Sequence, residues 1–263
     1  MKLWNKEDNL DKKIEEFTVG NDRKYDMYLA KYDVIASIAH AKMLCKINIL
    51  TDEESTKIIN SLNNIFKNIE SENFNIGNGF EDIHSKIESL LIDELGNIGK
   101  KIHTGRSRND QVLVATQLFL KNEINEIKKL TIKLFNTLID LAETNKNELL
   151  PGYTHLQVAM PSSFGLWFSS YAENLIDDIL YLKTAYEINN QNPLGSGAGY
   201  GSSFKIDRNF TTKELDFGDL KYNVVSAQMS RGKVEKSVII AINSIASTLS
   251  RLSSDICFYM TQE

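Results

Sequence analysis

The sequence predicts an all-α protein in which a small N-terminal helical domain is followed by a long antiparallel helical bundle. All three prolines of the 263 residues, Pro151, Pro161 and Pro193, lie in one middle segment, so long helices are possible elsewhere. From residue 110 to about residue 145 no glycine or proline interrupts the chain, and apolar residues recur at helical spacing. Apolar residues make up 42% of the chain, which is enough for a buried core. No segment shows a convincing strand pattern.

The N-terminal part predicts helices of ordinary length. Their predicted bounds are 23–46, 51–69 and 81–95, with an Asn- and Gly-rich loop at 71–79. The second helix has the clearest start, because Thr51 followed by Glu54 forms a capping box. Gly96 is a typical stop for the third helix. We assign residues 1–105 to the N-terminal helical domain.

Three long helices follow, over 110–145, 161–189 and 234–259, and Pro161 suits the first turn of the second. Narrow apolar stripes on these helices favour an antiparallel bundle, so we assign 106–263 to a central bundle domain. The last helix runs to Glu263 without a stop signal, and its stripe has no partner. We therefore expect either a truncated bundle that lacks a C-terminal domain or partner chains that cover the stripe. A frayed natural terminus is the alternative.

Composition and charge exclude several classes of protein. The net charge is −5 and no long block of like charge occurs, which argues against a nucleic-acid-binding protein. The first 13 residues lack the apolar stretch of a signal peptide, and no apolar run is long enough to span a membrane. Cys45 and Cys257 lie in apolar helical patterns, as reduced thiols of a cytoplasmic protein do. No pair of ligand residues recurs at metal-binding spacing, so we expect no metal and no cofactor.

The stretch 103–111, His-Thr-Gly-Arg-Ser-Arg-Asn-Asp-Gln, is the most informative part of the sequence. It places Arg106 and Arg108 in a turn that opens a long helix. The N–H groups and partial positive charge of a helix N-terminus attract anions, and forked arginine donors fit a carboxylate. The alternative is that these arginines pair with acidic residues elsewhere. Lys100 and Lys101 add to this local concentration of positive charge on an acidic protein. The concentration favours an anionic small-molecule ligand.

The four histidines differ in their predicted roles. His155 lies in the polar segment 152–157, on a loop between two long elements, where catalytic groups concentrate. Its imidazole is suited to proton transfer, although a hydrogen-bonded structural histidine is an equal alternative. His84 is either a solvated first-turn residue or part of a site. We interpret His40 as a core or interface histidine and His103 as structural.

A Gly/Ser-rich segment spans residues 193–203. Its spacing fits neither a dinucleotide fingerprint nor a phosphate-binding loop, and no strand precedes it. Such a segment brings backbone N–H groups close to an oxyanion, or it is a flexible connection between helices. Composition alone favours neither interpretation.

Taken in order along the whole chain, these motifs resemble those of argininosuccinate lyase. The matching segments are 33–41, 81–84, 104–111, 152–157, 193–198 and 206–208. The resemblance implies an all-α homotetramer that cleaves argininosuccinate to arginine and fumarate by β-elimination in arginine biosynthesis. It also implies active sites built from three subunits and no cofactor.

The resemblance implies roles for seven residues. Ser107, Arg108 and Asn109 hold a substrate carboxylate, and Thr154 binds beside the scissile bond. His155 serves the proton transfer on the leaving-group side. The two other residues expected to line the site are Asp82 and His84.

Two departures limit this assignment. The family's base is a serine on a mobile loop that this sequence does not include, so we expect the isolated chain to be inactive. The segment 17–22 differs from the family pattern, and we assign no substrate contact there. The alternatives are another fumarate-releasing lyase of the superfamily, such as adenylosuccinate lyase, and a non-catalytic, crystallin-like helical assembly.

Overall fold

A computed structural model describes residues 12–77 and 79–261. Its secondary structure is mainly helical, so the predicted all-α class is confirmed. The elements in chain order are α1 (Lys12–Val19), α2 (Asp22–Asp26), α3 (Ala30–Lys46), α4 (Asp52–Glu70), α5 (Ile83–Leu95), α6 (Asn97–Lys100), a 3-10 turn (Lys101–His103), α7 (Arg108–Thr144), β1 (Leu149–Thr154), β2 (Gln157–Ser163), α8 (Phe164–Asn189), β3 (Gln191–Asn192), α9 (Arg208–Glu214), β4 (Asp219–Leu220), α10 (Val224–Met229) and α11 (Lys233–Tyr259).

The chain folds into two compact units. The first comprises Met1–Phe119 and Asn190–Arg231, and the second comprises Leu120–Asn189 and Gly232–Glu263. These units differ from the predicted ranges 1–105 and 106–263. The first turns of α7 belong to the first unit because Val114 and Ala115 are buried there against Ala36 of α3 and Leu194.

The core of the first unit lies between α3, α4 and α5. Fully buried side chains from all three helices fill it, among them Met43, Leu62 and Leu91. The predicted capping box starts α4: the Thr51 hydroxyl accepts from the Glu54 N–H at 3.2 Å, and the Glu54 carboxylate accepts from the Thr51 N–H at 3.1 Å. Burial of large aliphatic side chains, each worth about 1.5–3 kcal/mol, holds this unit together.

The second unit contains most of α7 together with α8 and α11. One buried cluster joins Ile124 of α7 to Leu182 of α8 and Val238 of α11. Another joins Leu138 of α7 to Leu175 of α8 and Leu252 of α11. The three long helices that the sequence predicts are therefore present. The expectation that the apolar stripe of the last helix has no partner was wrong, because Val238 and Leu252 of that helix are buried against α7 and α8. Within the described ranges, no helix combines the length and apolar character of a membrane span.

The absence of strands was a wrong prediction. Residues 149–163 form an antiparallel β1–β2 hairpin, in which Pro151 pairs with Pro161. Pro161 is therefore not in the first turn of a helix, and α8 begins at Phe164. Leu150 is the one buried residue between 149 and 163, so no alternating apolar face marked these strands. A two-stranded hairpin also has free edges, where proline is tolerated.

Two predicted helix bounds also change. The predicted helix 23–46 is divided into α2 and α3, with turns at residues 27–29. The predicted helix 81–95 begins two residues later, because the Asp82 carboxylate caps α5 by accepting from the Ser85 N–H at 2.6 Å. The predictions about the first 13 residues and about a helix reaching Glu263 fall partly outside the described residues, and α11 ends at Tyr259.

Candidate active site

The turn before α7 is fixed by a reciprocal pair of caps. The Ser107 hydroxyl accepts from the Asn109 N–H at 3.3 Å, and the Asp110 carboxylate accepts from the Ser107 N–H at 2.9 Å. The arrangement is related to a capping box with aspartate as the acid, but the Ser107 hydroxyl accepts from the N–H of Asn109 and not from that of Asp110. Gly105 has a left-handed φ of +70°, which favours glycine, and a Cβ at this position would lie 2.6 Å from Cδ1 of Ile206, so that side chain would have to shift. The sequence therefore folds this segment into one defined turn.

Arg106 points into the interior of the first unit. Its guanidinium donates to the Ser37 hydroxyl at 3.1 and 3.2 Å and lies 3.8 Å from the Asp33 carboxylate. Burial lowers the pKa of Arg106, although Asp33 and Asp110 oppose that effect. Arg106 thus pairs with an acidic residue, as the alternative interpretation predicted. It supports the turn from the interior of the unit.

Arg108 remains partly exposed at the surface of the turn. Its guanidinium donates to the Gln111 side-chain carbonyl at 3.1 Å and to the Ser85 hydroxyl at 3.2 Å. Carboxylates of Asp82 and Glu88 lie 3.5 and 3.6 Å from its nitrogens. These groups surround the guanidinium, so the alternative of pairing with acidic residues applies to Arg108 as well. Its side chain nevertheless stays 22% exposed, and a forked donor at the surface suits a carboxylate.

His84 lies beneath this surface. Its Nδ1 is 2.8 Å from the Asp33 carboxylate, and both side chains are at most 1% exposed. Burial tends to raise the pKa of Asp33, but His84 and Arg106 outweigh it and lower that pKa. The structure therefore places His84 in a buried charge network with Arg106 rather than on the exposed surface.

The Gly/Ser segment does bind an oxyanion, and that oxyanion belongs to the chain itself. The N–H groups of Gly195 and Gly197 donate to the Asp110 carboxylate at 2.9 and 3.1 Å. Burial raises the pKa of Asp110, and the backbone N–H of Ser107 is the largest opposing influence. The loop is also held by Gln228, whose amide donates to the Ser196 hydroxyl at 2.9 Å. These contacts hold the loop in place, so it is not a flexible connection between helices.

An open cleft of about 510 Å³ lies between the turn and the Gly/Ser loop. Its lining residues are His103, Gly105, Arg106, Ser107, Arg108, Gly197, Ala198, Gly201, Ser202 and Phe204. Arg108 and Ser107 line the side of the turn, and Gly197, Ala198 and Phe204 are among the residues on the side of the loop. The volume is that of a small-molecule site.

The second unit carries Thr154 and His155. Both are exposed at the tip of the β1–β2 hairpin, where His155 and Leu156 have left-handed φ values of +51° and +58°. Two consecutive residues of this kind form the tight turn of a hairpin, and non-glycine residues there are strained. Tyr153 packs edge-on against Phe258, with ring centroids 5.0 Å apart, which anchors the hairpin to the end of α11.

The predicted site residues are thus distributed over both units. The first unit brings together five of them, namely Asp82, His84, Ser107, Arg108 and Asn109. Thr154 and His155 belong to the second unit. In the described part of the chain, no group of three or more His, Cys, Asp or Glu residues is arranged to hold a metal ion.

Comparison with known proteins decides the family. A protein-family profile described as "Lyase" matches residues 5–263. The chain belongs to this lyase family. It is 52% identical over 261 residues to the argininosuccinate lyase of Bacteroides fragilis, a match that covers 99% of this chain and 58% of that protein. The argininosuccinate lyase of Thermotoga neapolitana is 43% identical over 262 residues, covering 100% of this chain and 66% of that protein.

Solved structures share the lyase fold. A crystal structure of EDDS lyase in complex with formate matches with a TM-score of 0.82 at 24% identity, over 94% of this chain and 49% of that one. A fumarate lyase (delta crystallin) from Brucella melitensis matches with a TM-score of 0.74 at 19% identity, over 88% and 55%. This lyase chain spans less than two thirds of the length of the Bacteroides fragilis relative.

Several residues around the candidate site are not evident from sequence reasoning. Asp33 and Asp110 are fully buried acids, and Glu88 approaches Arg108 from α5. Asp33 and Glu88 lie in sequence far from the turn that they support, so helical periodicity gives no sign of these contacts. The signals for Asp33 in the sequence are its charge next to the apolar residues that follow it and its place at the start of the segment 33–41, which resembles argininosuccinate lyase.

His40 is buried, as predicted, and its Nε2 lies 3.0 Å from the Thr104 carbonyl oxygen. Burial, together with the Arg106 charge, lowers the pKa of His40 well below its ordinary value. The histidine therefore supports the backbone just ahead of the turn in its neutral form.

This burial predicts a pH-dependent stability. Because the folded-state pKa of His40 lies below 6.5, the unfolded chain binds a proton that the folded chain does not as the pH falls through this range. The free energy of unfolding therefore decreases below about pH 6.5, by up to about 1.4 kcal/mol per pH unit. Urea titrations of a His40→Gln variant should show a shallower decrease, and an unchanged slope would contradict this account.

Proposed function

We propose that this chain is part of an argininosuccinate lyase, which cleaves argininosuccinate to arginine and fumarate in cytoplasmic arginine biosynthesis. The observation that carries the proposal is the 52% identity to the Bacteroides fragilis argininosuccinate lyase over 99% of the chain. The geometry of the first unit supports it, because the cleft presents arginine and hydroxyl donors to a small anion.

The proposed reaction is a β-elimination. A base removes the proton from the carbon beside a substrate carboxylate, and negative charge spreads into that carboxylate. The carbon–nitrogen bond then breaks, and the departing guanidinium nitrogen takes up a proton, which gives fumarate and arginine. Donors that face the developing charge stabilise this transition state most. The base is not assigned to any residue of this chain.

Three residues of the turn bind the substrate carboxylate in this proposal. Arg108 supplies a forked, charge-assisted donor, and the Ser107 hydroxyl and Asn109 amide supply neutral polar groups. The Asn109 amide contacts the Ser107 hydroxyl at 3.3 Å, so the two groups are already side by side. Asp82 lines the site from α5 and orients the guanidinium of Arg108.

His84 has a supporting part in the same site. Because its ring is buried against Asp33, it acts through the charge network beneath the cleft. On the hairpin, Thr154 binds beside the scissile bond, and His155 gives a proton to the leaving nitrogen. An exposed imidazole at a hairpin tip is accessible for such a transfer.

The proposed assembly is a homotetramer with a small-molecule substrate and no cofactor. Large apolar side chains on the long helices of the second unit are exposed, which supports burial against further copies of the chain. Examples are Leu166, Leu180, Ile239 and Ile240. Exposed apolar surface of this kind is typical of protein interfaces.

Fumarate release tests the proposed function. The protein that contains this chain is supplied with argininosuccinate and, separately, with adenylosuccinate. We expect equal amounts of fumarate and arginine from argininosuccinate and no fumarate from adenylosuccinate. Fumarate from adenylosuccinate alone would show a different lyase of the superfamily. Failure to bind or cleave either compound would support a non-catalytic helical assembly instead.

A further inference from the structure

The Asp110 carboxylate connects two chain segments that are distant in sequence. One oxygen accepts from the Ser107 N–H at 2.9 Å, and the other accepts from the N–H groups of Gly195 and Gly197 at 2.9 and 3.1 Å. The residue is fully buried. A buried carboxylate is costly unless hydrogen bonds satisfy it, and these three backbone donors meet that need.

This arrangement differs from an ordinary capping box. In the capping box of α4, Glu54 also closes on its own N-cap residue, Thr51, and its other oxygen accepts from the Lys101 side chain at 2.5 Å. The second oxygen of Asp110 instead accepts from two backbone N–H groups of a loop, the nearer of which lies 85 residues further along the chain. The carboxylate thus both caps the start of α7 and binds the backbone of the Gly/Ser loop.

The loop is shaped to meet this carboxylate. Gly195 and Gly197 have left-handed φ values of +84° and +60°. A Cβ at Gly195 would lie 2.8 Å from Cγ of Arg208, and a Cβ at Gly197 would lie 2.8 Å from the Gly201 carbonyl oxygen. Other residues would therefore disturb the conformation that directs both N–H groups at one acceptor.

We infer that Asp110 is a positioning residue that fixes the two walls of the cleft relative to each other. Ser107 and Arg108 line one wall, and Gly197 and Ala198 line the other. The inference rests on the proposed function, in which the first wall binds the substrate carboxylate. Asp110 touches no substrate and acts through the backbone of the turn and the loop.

An Asp110→Asn variant tests this role with two measurements. Its amide has one acceptor oxygen, so its NH2 group must face either the Ser107 N–H or the N–H groups of Gly195 and Gly197, where donor opposes donor. We expect at least one of these three backbone amides to exchange with deuterium about tenfold faster or more, because the loss of the carboxylate leaves it without an acceptor. We also expect the KM for argininosuccinate to rise about tenfold or more, since the wall that binds the carboxylate is displaced.

The matched control is Glu54→Gln, which removes the acid of the α4 capping box in the same unit together with its ion pair to Lys101. It should lower thermal stability and leave KM unchanged. KM does not depend on the fraction of folded enzyme, so a merely structural role of Asp110 would also leave it unchanged. An equal rise in KM for Glu54→Gln, or a wild-type KM for Asp110→Asn despite faster amide exchange, would overturn the inference.

A second variant tests the other end of the same connection. Gly197→Ala disturbs the loop without changing Asp110. If the two residues act through one bond network, the double variant should raise KM no more than either single variant. Strictly additive effects or unchanged amide exchange would overturn the inference.

If the wild-type protein releases no fumarate from argininosuccinate, the proposed function fails, while the exchange measurement still decides whether Asp110 holds the loop.

Discussion

A His155→Asn variant should lose about 10²- to 10⁴-fold in kcat, the range that general acid–base catalysis supplies. His155 occupies a left-handed position at the hairpin tip, with φ of +51°. Asparagine tolerates this conformation, so the turn should persist while the imidazole is removed. KM for argininosuccinate should change little, because the carboxylate is bound by the first unit. Steady-state kinetics on argininosuccinate measure both constants.

The neighbouring residue offers the control. Leu156 shares the turn, has φ of +58° and is 78% exposed. Leu156→Asn therefore changes the same turn but keeps the imidazole, and we expect its kcat to stay close to that of the wild type. If both variants lose the same activity, the conformation of the hairpin matters and His155 has no separate role in proton transfer.

We expect Arg108→Lys to lower kcat/KM for argininosuccinate by about 10- to 150-fold, mainly through KM. Lysine keeps the positive charge but loses the forked pair of donors that fits a carboxylate. A hydrogen bond to a charged group is worth about 1.5–3 kcal/mol, which corresponds to this range. Because Arg108 also contacts Asp82 and Glu88, thermal unfolding is measured in parallel to check that the variant folds.

Arg23→Lys is the matched control for this substitution. Arg23 is a partly buried arginine of the first unit, and its Nε donates to the Phe80 carbonyl oxygen at 2.7 Å. Its replacement should reduce stability without changing KM. An Arg108→Lys variant with wild-type KM would show that the guanidinium does not bind the substrate carboxylate.

The long helices could be predicted from the sequence because their signals are local. Helix α7 shows uninterrupted helical spacing, and the start of α4 is marked by Thr51 and Glu54. The hairpin at 149–163 could not be predicted, because neither strand has an alternating buried face and two prolines lie within it. Its stability depends on tertiary contacts such as that between Tyr153 and Phe258.

The same distinction applies to the candidate site. The turn at residues 105–109 was evident because Arg106, Arg108 and the helix start lie together in the sequence. The support beneath it was not evident, since the Asp33–His84 contact joins residues from different helices. The Gly/Ser loop was recognised as able to bind an oxyanion, but only the fold identifies that oxyanion as Asp110.

Binding of argininosuccinate to an Asn109→Ala variant tests the central claim, that the start of α7 recognises the substrate carboxylate. Asn109 is exposed, and its amide contacts only the adjacent Ser107 hydroxyl among the bonds described, so its loss should not disturb the fold. Asn145→Ala, in the turn that follows the C-terminal end of the same helix, is the control. Titration calorimetry should show binding weakened about tenfold for Asn109→Ala and unchanged for Asn145→Ala, as expected for one hydrogen bond to a charged group. Equal affinity of wild-type protein and Asn109→Ala would contradict the claim.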